Sequence, residues 1–472
     1  GRVGGYSIVM DWQIDAKLIG GAGTGKTSRL LRTVAKLLEA GLAPEQIGYV
    51  SFTRAARAEA AGRAQQYTDT SLTREGWFRT LHSVAYRILG LRSSQVLDDH
   101  AESRKWLAEI LGQPVDGGVL SEDPAEVAAA RRSPIARALL AWHLSRETLV
   151  PLPEVIAESS GILELPDWPF VSHVVETYEL GKRIDDRLDF ADMLGRAAGV
   201  VWSLDGEHQF KQPEGELPEE VAAWIHDEAQ DASALSWRFF MRLASAPHVR
   251  WSYAAGDPFQ SIYAFAGADP AHFMACEARK QEVMPRSHRC AMPILELGEA
   301  ILRGCSDWFD RAIEPAGHRG VIGEVLWDEI PNVVENGSWL VLARTNHLVA
   351  SMARKLSEAG IPVERLQGRA GPTALTRAVA CLDAMSRGEP VAVPEWLCVL
   401  KHVPSKPWIM HGAKAYWQHQ PPQQIARMPK ATAEDYSVLG AEPCLLEVLK
   451  QGRMVEVVPE AAPVLRAAQR CG

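Results

Sequence analysis

Two rhythms of apolar and polar positions alternate along the 472-residue chain. Short apolar runs closed by glycine or polar residues predict strands at Ala16 to Ile19, Ile47 to Phe52, within VAAWIHDEAQD, Val221 to Asp231, and at Trp251 to Ala255. Ser28 to Ala40 reads as the helix after the first of these, and the second runs into SFTRAARAEA and then a polar helix. A second step from strand to helix falls at RTLHSVAYRIL, Arg79 to Leu89. Strands that alternate with helices predict an α/β fold on a parallel sheet. From about Leu91 to Asp185 the strand rhythm disappears, and helical periods carrying Trp106, Trp142 and Trp168 take its place. That stretch reads as a helical insertion. The sheet pattern returns after LDFADML, Leu188 to Leu194. Further on, Trp339 to Leu342 predicts a strand and Met352 to Gly360 a helix leading to IPVERL. Pro404 to Pro429, rich in proline and glutamine, reads as a linker or the start of a second insertion.

A chain of this length predicts about three domains, and the rhythms suggest where to divide it. Residues 1–90 and 186–285 form one sheet domain interrupted by the insertion at 91–185. Residues 396–472 are the linker or insertion. Net charge is −9, so any nucleic-acid contact must come from a local basic groove. The seven cysteines are widely spaced without a C-x-x-C pair, which predicts reduced thiols and no zinc site. No apolar run approaches a membrane span, and Gly1 to Asp11 lacks the apolar core of a signal peptide. A soluble, cytoplasmic protein is expected, with Gly1 to Val9 an upstream remnant ahead of Met10.

The chemistry is organised around GGAGTGKT: Gly20, Gly21, Ala22, Gly23, Thr24, Gly25, Lys26 and Thr27. This fits G-x-x-x-x-G-K-[ST] with a predicted strand before it and a helix after it. The glycines let successive backbone N–H groups face an anion, Lys26 supplies the counter-charge for β/γ-phosphates, and the Thr27 hydroxyl suits Mg²⁺. The strand in VAAWIHDEAQD delivers two adjacent carboxylates. Asp227 is placed to hold Mg²⁺ and Glu228 to orient or deprotonate water. An isolated Asp-Glu pair is more often a solvated turn, but not behind an apolar strand in a chain with a phosphate loop. In GDPFQSIYAFAGA, Gln260 is a candidate for the γ-phosphate, and Tyr263 and Phe265 are candidate exposed rings for stacking on bases. Arg54, Arg57, His82 and the hydroxyls of Thr53, Thr80 and Ser83 fall at strand ends, where parallel sheets bind ligands, although singly such groups are usually helix caps.

In this order, GAGTGKT, SFTRAARAEA, TLHS, LDFADML, DEAQD, GDPFQSIYAFAGA, PRSHRC and VLARTN resemble the superfamily 1 DNA helicases of the UvrD/Rep/PcrA type, from about Lys17 to Gly368. The resemblance implies a P-loop NTPase with two RecA-like parallel-sheet domains, the second a partial one at residues 286–395, helical insertions, ATP between the domains, and ATP-driven 3′-to-5′ movement on single-stranded DNA or at a junction with duplex. It makes Lys26, Glu228, Gln260 and Arg289 catalytic, with Arg289 reaching the γ-phosphate from the domain junction. It puts Mg²⁺ on Thr27 and Asp227. Phe52, Thr53, Arg54, His82, Ser83, Tyr263 and Phe265 would line the DNA path.

The sequence departs from that family in three places. Only Gly1 to Ile19 precede the phosphate loop, leaving Gln13 too close to read adenine. The usual Trp-Arg pair is Phe265-Ala266. The last two family motifs are not intact: MHGAKAYW keeps His411 and Lys414 without the following Gly and Glu, and ALTRA, with Arg377, comes too early. Two alternatives stay open. One is a module that binds ATP and DNA without translocating, completed by a protein partner or a missing C-terminal half. The other is a nucleotide-gated protein–protein adaptor.

Overall fold

The structure is a computed structural model that describes residues 13–51, 54–65, 76–115, 117–120, 133–159, 167–305, 307–334, 339–343, 346–359, 361, 363, 374–420, 431, 436–439, 441–451 and 453–458. The chain divides into two compact units, Gly1–Ile322 and Gly323–Gly472.

The strands of the first unit are β1 (Gln13–Ile19), β2 (Ile47–Val50), β3 (Trp77–Arg79), β4 (Val200–Trp202), β5 (His208–Phe210), β6 (Ala223–His226), β7 (Trp251–Gly256) and β8 (Glu277–Val283). Six of them make a parallel sheet in the order β3-β2-β6-β7-β1-β8, while β4 and β5 form a separate antiparallel pair. The register sets Gly48 beside Trp224, Ile225 beside Tyr253, and Ala16 beside both Tyr253 and Lys280. Strands β2 and β6 are buried throughout. Ile47, Tyr49, Ala223 and Ile225 pack into one layer, Val50 and Trp224 into the other. Burial on both faces is why these strands read as continuous apolar runs. Strand β8, EARKQEV, lies at the sheet edge, mostly exposed, and shows no apolar pattern.

Helix α1 (Lys26–Glu39) covers one face with Leu30, Leu31, Val34 and Leu37 buried at helical spacing. Helices α2 (Arg54–Ala64) and α3 (Leu81–Ile88) follow β2 and β3. The insertion is helical, as its rhythm predicts: α4 (Ala101–Leu111), α5 (Pro134–Thr148), α6 (Leu152–Ser159) and α7 (Trp168–Ile184). They share a core that includes Trp106, Leu139, Trp142, Val171, Val175 and Tyr178. The LDFADML segment forms α8 (Phe190–Ala198), capped by the Asp189 carboxylate, which accepts from the Asp192 N–H. Arg146 of α5 and Lys182 of α7 reach across to Asp189 and Asp192 at 2.6–3.0 Å, so buried ion pairs tie the insertion to α8. Burial opposes ionisation of Asp189, but Arg146 and Lys182 hold it well below the usual carboxylate range. Burial and the neighbouring Asp189 push Asp192 up to about 6. Helices α9 (Ala234–Ala244) and α10 (Pro270–Ala275) connect the later strands. After β8 the chain returns through Pro285 to Cys290, α11 (Met292–Leu302) and Arg311 to Ala316, where Arg286 and Glu314 form an isolated parallel bridge.

One expectation needs correction. The expected strand at Trp339 to Leu342 is absent: no strand is assigned to 339–343, and Trp339, Leu340 and Leu342 are exposed. Among the described residues no neighbouring strand offers a ladder, and a lone apolar run has nothing to pair with. Residues 286–322 belong to the first unit. The helix Val393–His402 runs through 395/396 and packs with the helix Ala374–Ser386 in one core containing Leu382, Met385, Trp396, Val399, Trp417 and Leu445. The described helix Asn346–Glu358 starts ahead of the expected Met352. Among the described residues no helix is long and apolar enough to cross a membrane.

Candidate active site

Strand β1 ends at Ile19, and Gly20 to Gly25 turn the chain into α1. The Gly20 N–H donates to the Gly256 carbonyl at 3.1 Å, which anchors the loop to the end of β7. Gly23 has φ +71° and Gly25 φ +84°, the left-handed region that glycine enters without strain. A Cβ on Gly23 would lie 2.3 Å from the Arg289 Cβ, so glycine is required there by contact as well as by conformation. Lys26, 8% exposed, donates from Nζ to the Gly20 carbonyl at 3.1 Å and so keeps its ammonium against the loop. The 14-residue helix α1 adds the positive end of its dipole.

The second half of the site leaves β6, one strand removed from β1. The Asp227 Oδ2 atom accepts from the Thr27 hydroxyl at 2.8 Å and from the Tyr49 hydroxyl at 2.6 Å. Burial raises the Asp227 pKa and the Glu228 charge adds to the rise, against the hydrogen bonds from Tyr49 and Thr27. Burial, then Asp227, pushes the Tyr49 phenol well above its usual value. Paired carboxylates beside a hydroxyl are hard oxygen donors of the kind Mg²⁺ takes, and a cation would relieve the repulsion that burial sharpens. The residues therefore fit a magnesium site.

Glu228 has φ +53°, a left-handed conformation rare for a non-glycine residue and concentrated at functional sites. The Gln230 amide donates to Glu228 Oε2 at 3.0 Å and to Asp231 Oδ2 at 3.3 Å, while its Oε1 accepts from the Asp257 N–H at 3.0 Å. Burial, then the Glu228 charge, lifts Asp231 to about 7. Gln260 is exposed and donates from Nε2 to Asp257 Oδ2 at 2.7 Å.

Pro285 to Cys290 forms a strap over the phosphate loop within the first unit. Ser287 Oγ donates to the Ala22 carbonyl and the His288 N–H to the Gly23 carbonyl, each at 2.8 Å. Arg289, next in line, is exposed, and its guanidinium makes no hydrogen bond or ion pair among the described residues. The structure thus brings Lys26 to Gly20, Thr27 to Asp227, Gln260 to Asp257 after β7, and the backbone of Arg289 against Gly23. Sequence reasoning missed Tyr49, Gln230, Asp257, Ser287 and Arg311. Gln230, Asp257 and Ser287 lie inside the motifs DEAQD, GDPFQ and PRSHRC and carried a signal. Tyr49 and Arg311 lie outside the quoted motifs.

The residues expected to line a DNA path are less uniform. Phe52 and Thr53 lie outside the described residues, and Arg54 opens α2 with its side chain outside them too. The Ser83 N–H donates to the Thr80 Oγ1 cap at 3.2 Å, and the His82 ring meets Phe190 edge-on at 5.2 Å. Tyr263 and Phe265 are half-buried and pack edge-to-face at 6.2 Å, a correction to the expectation of exposed rings. Arg377 pairs with Glu395 at 3.0 Å within the second unit.

A parallel α/β sheet with a phosphate loop after one strand and paired carboxylates ending another defines a P-loop NTPase. Residues 8–281 match the family described as the UvrD/REP helicase N-terminal domain, and the chain belongs to that family. It is 25% identical over 372 residues to the YjcD protein of Bacillus subtilis (strain 168), covering 73% of this chain and 46% of that protein. It is 24% identical over 383 residues to the ATP-dependent DNA helicase UvrD1 of Mycobacterium leprae (strain TN), covering 74% of this chain and 48% of that one. The protein of that name from Mycobacterium tuberculosis (strain ATCC 25618 / H37Rv) is 25% identical over 386 residues, with the same two coverages. The chain spans about half the length of these curated relatives.

Proposed function

We propose that the chain is the nucleotide-binding part of an ATP-dependent DNA helicase of the UvrD type, acting in the cytoplasm. Lys26 and the loop N–H groups hold the phosphates, Thr27 and Asp227 hold Mg²⁺, and Glu228 activates water. Gln260 and Arg289 contact the γ-phosphate. Mg²⁺ supplies charge neutralisation of the phosphates when bound. The DNA would be single-stranded or a junction with duplex, followed in the 3′-to-5′ direction past His82, Ser83, Tyr263 and Phe265, with Phe52, Thr53 and Arg54 on the same path. The observation that carries this reading is the 2.8 Å contact of Thr27 with Asp227, which joins the phosphate loop to the Asp-Glu pair 200 residues away. The names of the relatives support ATP and DNA as the ligands.

The test is ATP hydrolysis by residues 1–472 with and without single-stranded DNA. Glu228→Gln should keep nucleotide binding and lower turnover by about 100-fold or more, the usual share of a general base. Lys26→Ala should abolish turnover by removing the phosphate counter-charge. Retained turnover in Glu228→Gln overturns the assignment of that carboxylate. A second reading, binding of ATP and DNA without turnover until a partner or further chain completes the site, is favoured by the engagement of Arg377 with Glu395. It predicts salt-sensitive DNA binding by a chain that hydrolyses nothing on its own.

A further inference from the structure

Arg311 has no part in the chemistry assigned above, yet it is 5% exposed and sits beside the phosphate loop. A Cβ on Gly21 would lie 3.4 Å from its Nη1 atom. Its Nη1 donates to Asp257 Oδ1 at 2.7 Å and its Nη2 pairs with Glu299 of α11. The guanidinium lies over the Phe259 ring at 4.7 Å, and Nε is buried without a partner among the described residues. The backbone that carries it is fixed from both sides. The Ser287 N–H donates to the Glu314 carbonyl and the Glu314 N–H to the Pro285 carbonyl, so Arg311 travels with the strap over the loop. Ala312 is held at φ +48°, with its N–H on Asp310 Oδ1 at 2.8 Å.

Asp257, 1% exposed, divides its two oxygens. Oδ1 takes Arg311, and Oδ2 takes one N–H of the Gln260 amide. An amide nitrogen has two donors. With one on Asp257, the other is left for an anion, and the opposite flip would set the Gln260 carbonyl against a carboxylate. The flip state of Gln260 thus depends on the charge and aim of Asp257. The aim of Asp257 depends on the fork of Arg311, whose second arm is anchored on Glu299. The Asp257 N–H also holds Gln230, which in turn donates to Glu228.

We propose that Arg311 is a positioning residue: by clamping Asp257 it sets the Gln260 amide to receive a γ-phosphate and couples that contact to the strap over the phosphate loop. The inference rests on the proposed role of Gln260. Its signature is a selective loss, because ADP lacks the group that Gln260 would touch.

The experiment uses the full chain and measures dissociation constants for Mg²⁺-ADP and for the Mg²⁺ complex of an imido-bridged, non-hydrolysable ATP analogue. Arg311→Ala should leave ADP binding within about threefold and cut the preference for the analogue about tenfold, the worth of a hydrogen bond to a charged group. Arg311→Lys, which keeps a cation on Asp257, should recover most of that preference. Arg311→Ala leaves the Asp257 carboxylate unpaired and risks misfolding. Asp257→Asn is therefore the second variant: Glu299 still neutralises Arg311, while the fixed acceptor for Gln260 is gone. It should give the same selective loss. Gln260→Ala should match it, and adding Arg311→Ala to Gln260→Ala should change nothing further. Equal weakening of both nucleotides, or losses that multiply in the double variant, overturns the positioning role. A parent chain that binds ADP without preferring the analogue overturns the γ-phosphate role of Gln260 and this inference with it. A parent that binds neither overturns the nucleotide-binding reading itself.

Discussion

Asp231 shows what burial does to one acid beside another. Burial first, then the charge of Glu228, lifts its carboxyl from the usual 3.8 to about 7. The folded chain then keeps a proton that the unfolded chain has lost over that interval, so stability falls as pH rises from about 4 to about 7. Asp231→Asn resembles the protonated acid and does not titrate. The variant should match its parent near pH 4 and exceed it at pH 8 by up to roughly 4 kcal/mol, the integral of that displacement. Urea midpoints of parent and variant at the two pH values read the difference directly. A gap that stays the same at both would mean that the Asp231 carboxyl titrates normally.

The ion pairs of α5 and α7 with α8 act between elements. Arg146, 2% exposed, meets Asp189 and Asp192, and Lys182 meets the same two carboxylates. Removing one partner of a buried pair leaves the other charge unneutralised, at a cost of about 3–5 kcal/mol. Arg146→Met should lower the stability of the first unit by that order, and Arg146→Met with Lys182→Met should cost less than the sum, because the two cations share acceptors. Chemical denaturation of the three variants checks both statements. What the sequence revealed divides along the same lines. The insertion and the strands β2, β6 and β7 were legible because periodicity records burial, and those elements are buried. Strand β8 was not, since an edge strand exposed on most positions has no pattern to show. The phosphate loop and the Asp-Glu pair were legible because backbone geometry and strand ends force those residue types into fixed spacing. Arg311 lies 54 residues from Asp257, and no local rule connects the two. The strand expected at Trp339 failed for the converse reason: an apolar run specifies a strand only when another strand lies beside it.

At the scale of the whole molecule, every hydrogen bond and ion pair named around the loop joins residues between Gly20 and Glu314, all within the first unit. Nucleotide affinity should therefore be a property of that unit, even if turnover and DNA response draw on more of the chain. Residues 1–322 expressed alone should bind Mg²⁺-ADP within about threefold of the full chain, a difference of about 0.65 kcal/mol. DNA-stimulated hydrolysis should be lost or strongly reduced if the helicase reading holds, because the resemblance implies ATP bound between two sheet domains. The two results separate holding a nucleotide from using it. Calorimetric titration of both chains gives the first, and hydrolysis with and without single-stranded DNA gives the second. A truncated chain that binds more than tenfold more weakly would show that residues beyond 322 are needed to shape the loop. A truncated chain with full DNA-stimulated turnover would place the whole motor cycle in one sheet domain. Arg289 would then have to approach the γ-phosphate by movement of the strap alone.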